Sequence, residues 1–146
     1  MRLNQSISGL VFVMLLAVVS GCGSDSPTSA SSTPGYSQTE VRAGSGVEVA
    51  VGSVLTVQYT GWLFDPTKTD QKGLQFETSR GSTTPFSFTV GAGQVISGWD
   101  EGVIGMRPLG VRRLVLPPSL AYGPARNGPI PPNATLVFEI EVLTVQ

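Results

Sequence analysis

The stretch Gly91–Met106, GAGQVISGWDEGVIGM, gathers residue types that often do chemistry: five glycines, one tryptophan and the acidic pair Asp100–Glu101. Glycine-rich turns that enter a helix can cradle a phosphate on their free backbone N–H groups. A phosphate loop of that kind also needs a lysine after its last glycine, and here Gly93-Gln-Val-Ile-Ser-Gly98 runs directly into Trp99. A dinucleotide fingerprint needs a third glycine where Ile96 stands. Both phosphate readings therefore fail at the residues that would do the work. The chain has no histidine and one cysteine, Cys22, which removes the commonest general base, the commonest metal ligand and any cysteine-cluster zinc site. What remains is chemistry by shape and burial. Taken alone, Trp99 reads as plain core. Yet Tyr59, Phe76, Phe86, Phe88 and Phe138 also fall at positions expected to face inward, with Tyr122 on a loop. A small core has little room for so many rings, and some can instead line an apolar cavity with a few polar tips, the form of a small-ligand or peptide site.

Charge narrows the partners. Nine basic against ten acidic residues give a net charge of −1, and Arg112–Arg113 is the only basic pair. An alternating strand puts those two on opposite faces. Nucleic acid is not expected as a partner, because no Lys/Arg cluster exists to displace counterions.

The elements that must position the aromatics are mostly strands. In VLTVQYTGWL, Leu55, Val57, Tyr59 and Leu63 share one face, and Thr56, Gln58 and Thr60 the other. PFSFTV aligns Phe86, Phe88 and Val90; RRLVL aligns Leu114 and Leu116. TLVFEIEVLTV puts Leu136, Phe138, Ile140 and Val142 inward and Glu139 and Glu141 outward. Strands with one wet face point to an antiparallel sheet. One short helix is predicted in the opening stretch, with Ser97 as its cap, Asp100 three residues on as in a capping box, and Gly105 past its end. So short a helix with internal glycines is not stable alone and must be held by packing. The fold class is α+β, a curved antiparallel sheet laid over one short helix.

The N-terminus reads as a targeting segment. Arg2 precedes the uninterrupted apolar run Leu10–Val19, too short to span a bilayer of roughly 30 Å and suited to a signal peptide. Val19-Ser20-Gly21-Cys22 resembles a bacterial lipobox, in which the cysteine is lipidated and becomes the mature N-terminus; an ordinary signal peptide with an incidental cysteine is the alternative. Gly23, not aspartate, follows the cysteine, which resembles lipoproteins sent to the outer membrane. The Ser/Thr/Pro/Gly-rich segment after it has almost nothing to bury and reads as a flexible leash. The expected organisation is a signal peptide over 1–21, a lipidated cysteine and linker over 22–38, and a folded domain over 39–146.

Several strings in fixed order, VQYTGWL, FETSR, PFSF, GQVISGWDEGV, LAYGP and IPPNATLVFEIEVL, resemble the FKBP-type peptidyl-prolyl cis-trans isomerases across nearly the whole domain. The resemblance implies an antiparallel half-barrel wrapped on a short helix, with an aromatic site between the two. Matched position by position, it implies catalytic roles for Tyr59, Glu77, Ile96 and Tyr122. It implies substrate contacts for Phe76, Phe86, Val95, Trp99, Ile130 and Phe138, with Trp99 as the floor. It further implies proline-containing peptides and folding proteins as substrates, macrolide ligands, no metal or cofactor, and a monomer. Together with the lipobox, it places the protein in the bacterial cell envelope, anchored by lipid at Cys22 on the periplasmic side of the outer membrane. A membrane-anchored proline-binding or chaperone module with little turnover is the second reading. Two departures bear on activity. The family usually carries aspartate where Glu77 stands, and the loop GPARNGPIPP after Tyr122 is one residue shorter than the commonest pattern. Phe64–Gly73 is longer than in the smallest members and reads as a solvated surface insertion.

Overall fold

The computed structural model describes residues 34–146. The targeting segment, Cys22 and most of the proposed leash lie outside the described residues. The elements in chain order are β1 (Ser37–Arg42), β2 (Val54–Phe64), β3 (Lys72–Thr78), β4 (Phe86–Thr89), α1 (Ser97–Gly102), β5 (Val111–Leu116), a single 3-10 turn (Pro118–Leu120) and β6 (Leu136–Val145). The six strands form one sheet in the order β1-β5-β6-β2-β3, with β4 also paired to β2, and every pairing is antiparallel. This is the expected α+β architecture, an antiparallel sheet with one short helix.

The alternation read from the sequence sets the concave face. Leu55, Val57, Leu114, Leu116, Leu136, Ile140 and Val142 are fully buried there, with Phe88, Trp99 and Phe138 nearly so. The opposite face is drier than its polar pattern implies. Val115 and Val137, paired across β5 and β6, are both buried on it, and Trp62 is paired with Val137 from β2. Lys72 lies 4.5 Å over the Trp62 ring while its ammonium reaches Glu139 at 2.5 Å. The insertion Phe64–Gly73 is accordingly not a free surface loop. Its tip, from Pro66 to Asp70, is exposed, but Arg113 donates to the Asp70 carbonyl and to Gln71 Oε1, tying it to β5.

Two further expectations change. The folded part begins before Thr39, because Ser37 pairs with Val115 and Gln38 with Leu114, extending β5 outward by an edge strand. And α1 is not capped by Ser97. Its cap is Ile96 in an extended conformation, with no side-chain cap bond, and Ser97 is already helical. The glycines Gly98 and Gly102, one turn apart, serve packing. A Cβ at Gly98 would lie 2.5 Å from Leu116, and one at Gly102 would lie 2.5 Å from Leu114, so their absence lets the helix sit directly on β5. At the other end of α1, the buried Arg112 donates to the carbonyls of Gly102 and Ile104, both at 2.8 Å. The Gly102 carbonyl ends α1 and has no intrahelical partner, the Ile104 carbonyl follows just past the cap Val103, and a cation suits that end of the helix dipole.

Candidate active site

The site is built where β2 changes partners. On its outer edge, β4 pairs with Val54–Val57 and β3 with Thr60–Phe64, leaving Tyr59 between them. Ser79 fills the gap. The Tyr59 N–H donates to Ser79 Oγ at 2.8 Å, and the Tyr59 carbonyl accepts from the Ser79 N–H at 2.9 Å and from Thr78 Oγ1 at 3.1 Å. The backbone N–H and carbonyl of Tyr59 are thus both engaged on the outer edge of β2, where no strand runs beside it; on the inner edge Tyr59 is paired with Ile140 of β6. Its ring meets Trp99 edge to face, at 4.9 Å and 79°.

Trp99, carried up by α1, is only 4% exposed. Phe138 stands perpendicular to it at 5.3 Å; Phe88 and Phe86 lie at 5.9 and 6.1 Å. Its indole N–H is buried with no hydrogen-bond acceptor among the described residues. Above these rings lies a cavity of about 420 Å³ lined by Tyr59, Glu77, Phe86, Gly93, Gln94, Val95, Ile96, Trp99, Tyr122 and Phe138. Trp99 is therefore both core and floor.

The structure gathers Tyr59, Glu77, Ile96, Tyr122, Phe86, Val95, Trp99 and Phe138 around one volume. Phe76 and Ile130 are not among its lining residues. Phe76 stands behind Phe138, ring to ring at 5.6 Å, and packs against the core. Ile130 is buried and exchanges both backbone hydrogen bonds with Asn127, bracing the loop that carries Tyr122. Gly93 and Gln94 also line the cavity; neither has an apolar side chain or a matched family role that would single it out in the sequence.

The polar rim is made of few groups. Burial first, and then the Glu77 carboxylate, push the Tyr59 phenol well above its ordinary range. Tyr122 is raised for the same reasons in the same order, with a hydrogen bond from Asn127 opposing. Both hydroxyls are therefore neutral donors at physiological pH. Glu77 is the one acidic or basic side chain among the lining residues. The Ile96 N–H donates to no acceptor among the described residues, while its carbonyl accepts from the N–H groups of Trp99 and Asp100. A cavity floored by aromatic rings and rimmed by two neutral hydroxyls, a free backbone N–H and one carboxylate can seat a small apolar ring and hold the carbonyls attached to it. No lining residue is an activated nucleophile.

Comparison with known proteins agrees with this geometry. Residues 46–143 match the family model described as FKBP-type peptidyl-prolyl cis-trans isomerase. The chain is 43% identical over 107 residues to an FK506-binding protein of Neisseria meningitidis serogroup B, covering 73% of this chain and 92% of that one. It is 43% identical over 111 residues to FK506-binding protein 1 of Dictyostelium discoideum, covering 75% of this chain and 97% of the relative. Among solved structures, FkpA from Escherichia coli superposes with a TM-score of 0.63 at 38% identity, covering 77% of this chain and 48% of FkpA, so the match spans about half of that protein. The chain belongs to the family of FKBP-type peptidyl-prolyl cis-trans isomerases.

Proposed function

We propose that the aromatic cavity is where the isomerase acts, and that the chain serves folding proteins outside the cytoplasm, held to the membrane through a lipidated Cys22. The observation that carries the first part is the cradle of Tyr59, Trp99 and Phe138, three rings set steeply to one another at one cavity of about 420 Å³. It has room for a prolyl ring against an aromatic floor. Rotation about the X-Pro bond is slow because amide resonance opposes it, and the barrier for a peptide bond is ~18–20 kcal/mol. Twisting the bond removes that resonance and lessens the amide's dipolar character. A dry site shaped for the twisted bond binds it better than either planar isomer, and only such differential binding accelerates the reaction. Tyr122 and the Ile96 N–H supply donors for the substrate carbonyls, and Tyr59 with Glu77 forms the polar edge. A thousandfold acceleration asks for about 4 kcal/mol. Burial and two or three hydrogen bonds can supply it.

The lipobox-like Val19–Cys22 and Gly23 support the anchor and the outer-membrane assignment. The names of the relatives support FK506 as a ligand of the same cavity. The test is cis-to-trans relaxation of a short X-Pro peptide with the full chain, with and without FK506. Acceleration that FK506 abolishes and that falls at least tenfold in Trp99→Leu or Tyr122→Phe is expected. Both variants turning over like wild type would remove the cavity from the reaction. FK506 binding without acceleration would instead favour a proline-binding module. For the anchor, a mass spectrum of the membrane-extracted protein should show a chain starting at Cys22 with added acyl mass; a bare mature chain would refute it.

A further inference from the structure

We infer that Asp100 is a positioning residue of the isomerase site: its carboxylate ties the segment from Gly91 to Ile96 to α1 and so fixes one wall of the cavity. The inference rests on the reading of the cavity as the site of reaction. Four of the ten lining residues, Gly93, Gln94, Val95 and Ile96, come from this one irregular segment between β4 and α1. No strand neighbour orders it. Its one backbone bond back to β4, from the Ala92 N–H to the Thr89 carbonyl, is long at 3.3 Å. Asp100 supplies what the backbone lacks. Oδ1 accepts from the Gly91 N–H at 2.8 Å, and Oδ2 accepts from the Gly93 N–H at 3.2 Å. Gln94 adds a second tie by accepting from the Thr89 N–H at 2.8 Å.

An acid in the first turn of a helix is favoured there by the helix dipole and needs no partner outside the helix. Asp100 differs, since both its oxygens are spent on the preceding segment in charge-assisted bonds. It is also the neighbour of Trp99 in sequence, so consecutive residues carry the cavity floor and the anchor of the wall. Asp100 does not line the cavity and acts only through the wall it holds. Loosening that wall leaves the competent shape populated a fraction of the time. Such a fraction weakens apparent substrate affinity and leaves the bound complex as reactive as before.

The test compares the full chain with Asp100→Asn, Asp100→Ala and Asp100→Glu. Readouts are kcat and KM for X-Pro peptide relaxation, and hydrogen exchange at the Gly91 and Gly93 amides. In the Asn and Ala variants, KM should rise about tenfold with kcat within about twofold of wild type, and both amides should exchange faster. Asp100→Glu, which keeps a carboxylate, should restore most of the KM. A plain loss of folded protein would lower apparent kcat at unchanged KM, and that result overturns the assignment. So does an unchanged KM in both Asn and Ala variants. Trp99→Leu runs alongside: if it alone loses activity, the role of Asp100 fails while the cavity stands; if it keeps wild-type activity, the cavity itself fails.

Discussion

At the scale of single residues, Ser79 shows how much of the site is held by groups that do not touch it. It satisfies Tyr59 where the outer edge of β2 has no partner strand, and it is buried. Ser79→Ala leaves the Tyr59 N–H without its acceptor, at a cost of about 1–3 kcal/mol. Urea unfolding should show that loss, together with lower kcat/KM, because the ring of Tyr59 rides on the same backbone. Ser79→Thr keeps the hydroxyl and should recover part of both. The tyrosines carry a second expectation. Both phenols are raised by burial and by Glu77, above an unfolded value of about 10. A proton held more tightly by the folded chain stabilises it below the unfolded value, and the benefit is lost as pH climbs past that value. Activity and melting temperature should therefore be indifferent to these groups from about pH 7 to about pH 9.5, with stability falling above about pH 10. A titration of activity near neutrality that tracked either phenol would contradict this. Tyr59 and Tyr122, singled out in the sequence, both line the cavity. Ser79 was not singled out, because its importance depends on which strands pair beside Tyr59, a long-range fact that no local pattern carries.

At the scale of elements, the strands were readable because alternation reports which face is buried, and the concave face follows that alternation residue by residue. The helix was readable in place but not in its reasons. A capping box at Ser97 and Asp100 is a local pattern; the actual use of Asp100 depends on a segment nine residues earlier folding back. The glycines of α1 likewise take their meaning from β5. Gly102→Ala removes a helix penalty of about 1 kcal/mol but places a methyl 2.5 Å from the side-chain end of Leu114, which is fully buried and must shift within the core. Overpacking of this kind costs about 1–3 kcal/mol, so the substitution should destabilise on balance. A double-mutant cycle checks the cause. Leu114→Val should cost less in the Gly102→Ala background than in wild type, and strict additivity would mean that the contact is not responsible.

At the scale of the whole molecule, one sheet does two jobs. Its concave face is the core under the cavity, and its other face carries ion pairs, among them Lys72 to Glu139 and both Arg42 and Arg80 to Glu141. Because the cavity rings Trp99 and Phe138 belong to the same buried cluster as Leu55 and Ile140, ligand binding and global stability are coupled. A ligand that binds only the folded chain stabilises it by about 2.7 kcal/mol at a hundredfold excess over Kd. For a domain of this size each kcal/mol moves the melting temperature by about 4–8 °C. FK506 at that excess should thus raise the midpoint by at least about 10 °C. Trp99→Leu should lower the starting midpoint and also lose the shift, since it removes both a core residue and the floor. Asp100→Asn should keep a shift, but one displaced to higher FK506 concentration, because its wall is loosened and its core is intact. A shift of full size at the wild-type concentration in Trp99→Leu would place the ligand elsewhere, and would separate the cavity from the core on which it is built.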